Sequence, residues 1–101
     1  MLHVTVIAQL HPEFSEQYKE AMLRHANNSL TREEGCLGFV VHRHETDPDR
    51  FLLYETYRSR KDFEEVHVVA PYLAEVNALI EPWVKKQELH LWETISPEGA
   101  A

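Results

Sequence analysis

Apolar and polar positions alternate from Leu2 to Leu10, with Leu2, Val4, Val6, Ala8 and Leu10 facing one way and His3, Thr5, Ile7 and Gln9 the other. A period of two predicts a strand. Pro12 suits the first turn of a helix, and Phe14, Tyr18, Ala21, Met22, His25, Ala26 and Ser29 or Leu30 then recur at helical spacing as far as Gly35, predicting a helix of about five turns. "CLGFVVHRHE" reads as a second strand, "TDPDR" as a turn rich in Asp and Pro, and "FLLYETYR" as a third strand, together an antiparallel hairpin. Ser59 followed by Asp62 resembles a capping box that opens a second helix, with Phe63, Val66, His67 and Ala70 on its apolar side and a break at Pro71. Helical spacing resumes from Tyr72 to Ile80, ends near Pro82, and "KQELHLWETI" alternates again as a last strand.

Strand, helix, strand, strand, helix, strand is the α+β order of a ferredoxin-like split β-α-β fold, an antiparallel sheet with two helices on one face. Residues 1–95 form a single domain in this reading and 96–101 a flexible C-terminal tail. The uncovered sheet face, with apolar residues on both sides of the first and third strands, predicts a homodimer packed sheet to sheet, a dimeric α+β barrel.

Charge narrows the partners. A formal net charge of −7, with no run of Lys or Arg above it, disfavours nucleic acid and membrane surfaces. The lone Cys36 can form no internal disulfide, no apolar stretch reaches membrane-spanning length, and the N-terminal segment has no basic leader, so a reducing, cytoplasmic setting is expected.

In "EEGCLGF", "FLLYETY", "DFEEVH" and "APYL" the chain resembles the antibiotic biosynthesis monooxygenase family of dimeric α+β barrel proteins. The resemblance covers nearly the whole chain and implies Gly35 at the end of the first helix, Phe39 as the aromatic of the second strand, Glu55 between aromatics of the third, and His67 on the following helix. It also implies one of two activities: cofactor-independent oxidation of a quinol-like aromatic by dioxygen, or isomerisation of a small phosphorylated dicarbonyl signal compound. Tyr72 stands where the isomerase carries a second histidine, and Asn27 where it has one near the end of the first helix. The first strand lacks the Asn on which the haem-degrading branch relies, so haem degradation is disfavoured.

The residues themselves point to acid–base chemistry. Glu55 shares its strand face with Phe51, Leu53 and Tyr57, and a carboxylate there needs a partner, a proton or a wet cavity. His67, one turn beyond Phe63, is the expected partner, with Glu55 fixing its tautomer and His67 acting as general base. The bland alternative is a structural ion pair, and a non-catalytic ligand-binding module remains open beside the enzyme. Phe39, Tyr54, Tyr57, Phe63 and Trp83 are candidate aromatic walls, although each also suits a plain core, and Tyr72 is a further candidate substrate contact. Asn28 is either part of a fraying helix end or a contact to a substrate oxygen, and His25 lines the same cavity or belongs to the core.

No flavin or nicotinamide site is expected, because three glycines form no G-x-G-x-x-G loop. His42 and His44 share a strand side, but no carboxylate or Cys completes a metal motif, so no metal is expected. Cys36 has no basic neighbour to activate it. Arg58, Arg60 and Lys61 form a solvated turn, or an anion spot that a phosphorylated substrate would use.

Overall fold

The opening alternation becomes β1, Leu2–Leu10, in which every second residue is buried. The structure, a computed structural model, describes residues 1–96, so the expected tail lies outside the described residues except for Ser96. A short 3-10 turn, Pro12–Phe14, leads into α1, Ser15–Arg32, whose buried stripe runs from Ser15 through Tyr18, Met22 and His25 to Ser29. Asn27–Ser29 is not a fraying end: Ser29 is fully buried and its hydroxyl donates to the His25 carbonyl at 3.0 Å. Beyond Arg32 the backbone turns extended at Glu33. A Cβ at Gly35 would collide with the Asp62 side chain, so glycine is what lets the chain pass this close to the later loop.

Next come β2, Cys36–Arg43, and β3, Arg50–Tyr57, and the sheet is completed by β4, Val84–Glu93. The order is β2-β3-β1-β4, with every neighbouring pair antiparallel. Strict alternation would put Cys36 and Phe39 on opposite faces. A register shift between Cys36 and Gly38 inserts an extra residue, so both side chains are buried on the helix side.

Where a regular second helix is expected after Ser59, the chain makes a π-helical segment, Asp62–His67, in which the Val68 N–H donates to the Phe63 carbonyl at 2.9 Å. Ser59 and Asp62 do pair: the Asp62 N–H donates to Ser59 Oγ at 3.2 Å and the Ser59 hydroxyl to the Asp62 carboxylate at 2.8 Å. The wider winding leaves Phe63 and His67 buried and Val66 exposed. Pro71 starts α2, Pro71–Ile80, instead of ending a helix. Both helices lie on one face of the sheet, as the ferredoxin-like reading expects. The other face presents Ile7, Val40, Leu52, Tyr54 and Trp92 partly or largely exposed. Among the described residues no helix is long and apolar enough to cross a membrane.

Candidate active site

The alternation of β3 carries Glu55 inward with Leu53 and Tyr57, and only 4% of it is exposed. The Tyr57 hydroxyl donates to Glu55 Oε1 at 2.6 Å. Burial pushes the Glu55 carboxyl up to about 7, against the lowering effect of that hydrogen bond, and the nearby Glu33 charge adds to the rise. The π-helical segment brings in His67, whose ring stacks on Phe63 at 5.9 Å and lies 5.1 Å from the Tyr57 ring.

His67 Nε2 is 3.8 Å from Glu55 Oε1, too far for a hydrogen bond. The group that orients the imidazole is Glu33, whose two carboxylate oxygens sit 3.0 and 3.2 Å from Nδ1. The tautomer-fixing role expected of Glu55 thus falls to a residue that sequence reasoning passed over. Glu33 is 5% exposed, the extended residue immediately after α1. Burial raises its carboxyl to about 7 and lowers the His67 imidazole to about 4. Both shifts disfavour charge. Near neutrality the pair is therefore a net-neutral unit with one proton shared on the line between Nδ1 and the Glu33 carboxylate, and as pH rises through about 7 it gives up one proton overall, which leaves Glu33 ionised opposite an Nδ1–H and Nε2 bare.

Above this row lies a cavity of about 250 Å³ between the helices and the sheet. Phe39, Phe63, Leu53, Met22 and Ile80 give it apolar walls, and Glu55, His67 and His25 are among its polar lining. No lysine or arginine among the described residues lines it. Tyr57 acts beneath it through its hydroxyl, outside the lining. Asn28 and Tyr72 do not line this cavity. They line a second hollow of about 190 Å³ between α1 and α2, because Asn28 follows His25 by one helical turn on the side that α2 covers. His25 lines both hollows, and burial, assisted by the neighbouring His67, lowers its imidazole to about 4.

Other expected contributors stand elsewhere. Tyr54 is exposed on the opposite sheet face, where its hydroxyl lies 3.3 Å from His3 Nδ1, and Trp83 stacks on Phe14 at 5.8 Å. Cys36 is buried, and burial together with the Glu33 and Glu55 charges pushes its thiol up to about 11, which suppresses thiolate chemistry. Arg58 is engaged by Asp62 at 2.9 Å and by Glu34 at 3.9 Å, and Arg60 lies 3.4 Å from Glu93. His44 Nδ1 accepts the backbone N–H groups of Thr46 and Asp47, and among the described residues no group of three His, Cys, Asp or Glu can hold a metal ion.

Residues 1–78 match the sequence model of the family described as antibiotic biosynthesis monooxygenase. Among solved structures, the Nitrosomonas europaea protein described as a "putative antibiotic biosynthesis monooxygenase" is 26% identical, with 95% of this chain and 100% of that one covered at a TM-score of 0.87. A protein of the same description from Deinococcus radiodurans is 16% identical, with 100% and 99% covered at a TM-score of 0.89. Another, from Caulobacter crescentus, is 18% identical, with 94% and 90% covered at 0.87. These last two likenesses are likenesses of fold. No match was found among curated proteins.

Proposed function

The chain belongs to the antibiotic biosynthesis monooxygenase family, and from that premise we propose that it is a cofactor-independent monooxygenase oxidising a quinol-like aromatic with dioxygen. The observation that carries this reading is the buried row Glu33–His67–Glu55 beneath an apolar cavity. With Glu33 ionised and accepting the Nδ1 proton, Nε2 presents a lone pair toward Glu55 and the cavity. A phenolic hydroxyl placed there gives its proton to Nε2, while Nδ1 passes its own proton to Glu33. The proton taken at Nε2 is thus balanced by one arriving at Glu33, whose carboxyl burial raises to about 7, a range suited to neutral solution.

The resulting phenolate is electron-rich, and dioxygen adds at a ring carbon. Elimination of water, which breaks the O–O bond and the ring C–H bond, leaves a new carbonyl. A quinol and one dioxygen thus give a hydroxyquinone and one water, with no outside reductant. What remains for the protein is to bind, deprotonate, orient and exclude water. Phe39 and Phe63 supply aromatic walls for the ring.

The cavity has no cation among its described lining, so a phosphorylated dicarbonyl substrate bound in it would find no charge partner there. We place the working protein as a cytoplasmic homodimer. The partly apolar outer sheet face with Ile7, Leu52, Tyr54 and Trp92 supports the dimer, and the lone buried thiol of Cys36 supports a reducing compartment.

Oxygen uptake with a panel of hydroquinones tests the reading. Native protein should consume oxygen, and His67→Ala should lose about 10²- to 10⁴-fold in rate, the range of general-base catalysis. Equal turnover by the two proteins would overturn the assignment.

A further inference from the structure

We propose that His25 is a proton-relaying residue that connects the buried Glu33–His67–Glu55 row to solvent through the polar groove between α1 and α2. Glu33, His67 and Glu55 are each at most 5% exposed, yet a row that exchanges protons on every turnover needs a route to water. The main cavity, bordered on its solvent side by Val68, Asn77, Gln87 and Leu89, is the space a bound substrate would fill, so during turnover it is closed as a route to water. The groove on the far side of His25 is different: Arg24, Asn28, Tyr72 and Glu75 line it, and Arg24 and Glu75 are exposed.

His25 is the titratable side chain that lines both hollows. Its ring centroid lies 5.5 Å from that of His67 and 5.7 Å from that of Tyr72. His25 Nδ1 and Tyr72 Oη are both buried without a hydrogen-bond partner among the described residues. Buried polar atoms in this condition are uncommon, and water between the two rings would satisfy both. An imidazole that takes a proton at one ring nitrogen releases another from the second, and exchange of tautomer restores it, so no charge need remain. Burial keeps the His25 ring neutral at rest, with one nitrogen free to accept and the other able to donate. The charged and titratable groups around the ring are Arg24 on α1, His67 on the π-helical segment, and Tyr72 and Glu75 on α2.

The functional meaning of the relay rests on the proposed use of His67 as a base, but its test requires no substrate and so succeeds or fails apart from the oxygen chemistry. The test is the exchange of the His67 imidazole N–H with water, followed by nitrogen-edited NMR in the full chain. His25→Phe should slow it by about an order of magnitude or more, Tyr72→Phe should slow it by a smaller factor, and α2 backbone amides should exchange as before. Added imidazole should restore fast exchange in His25→Ala by occupying the vacated space. Unchanged exchange in folded His25→Phe would overturn the proposal, as would slowing matched by the α2 amides, which would make helix opening the gate. Should His25→Phe fail to fold, unchanged exchange in Tyr72→Phe overturns it equally.

Discussion

The two halves of the layer above the sheet are built unequally. α1 contributes seven buried residues to its contact with the sheet, whereas the segment from Asp62 to Ile80 contributes Phe63, His67 and Ile80. The first half is a packed core around Leu10, Ala26 and Phe51, with the buried Tyr18 and Met22 as the fixed inner wall of the cavity. The second is a roof over a cavity, with Val68, Leu73 and Val76 bordering space instead of filling it. The acids of the site stand on or beside the firm half, at Glu55 on β3 and Glu33 at the end of α1, while the imidazole hangs from the looser one. Stability and chemistry are thus held by different parts of a small domain, and entry of a ligand need disturb only the roof.

Substitutions in each half test this contrast. Catalytic loss should be the largest effect if Glu33 makes His67 an effective base. Glu33→Gln should lower the rate of oxygen uptake roughly 10- to 100-fold and move the rising limb of the rate–pH profile from near 7 toward the lower value of His67 alone, about 4. A profile that keeps its native midpoint would remove Glu33 from the mechanism. Next comes packing: Phe51→Ala should destabilise the fold by about 3–5 kcal/mol in denaturant titration, and Leu73→Ala by less than about 1 kcal/mol. Similar losses at the two positions would erase the distinction between core and roof.

Glu55 gives a pH-dependent test. Its folded carboxyl is raised to about 7 from 4.5, so between those values the native state binds more protons than the unfolded chain and its stability falls as pH rises. Glu55→Gln removes that loss. The variant should gain on the native protein from pH 5 to pH 8, by roughly 2–3 kcal/mol at most, and a difference that stays constant with pH would show the carboxyl to be ionised throughout. His25 and His67, both lowered to about 4, contribute with the opposite sign between about 4 and 6.5, and Glu33 with the same sign as Glu55. The smallest effect is one of rate: α2 amides should exchange with solvent faster than those in the middle of α1.

Much of this was legible in the residues. Period-two alternation marked β1 and β3, helical spacing marked α1, and the same spacing that puts Phe51, Leu53 and Tyr57 inside carries Glu55 in with them. The apolar stripe likewise placed His67 indoors. These are local consequences of backbone period and side-chain polarity, and a chain carries them without reference to its fold. Other features depend on parts of the chain that meet only in three dimensions. Glu33 sits among other acids at a helix end, with nothing in its neighbourhood to distinguish it, and it becomes the partner of His67 because Gly35 admits the Asp62 loop against the end of α1, joining residues 34 apart. The bulge that turns Phe39 inward arises from pairing with β3, and the assignment of Asn28 and Tyr72 to the groove follows from how α2 lies on α1. Periodicity decides which face a residue takes; which groups share a proton is decided by packing, because hydrogen bonds and desolvation act over a few ångströms of space and not along the chain.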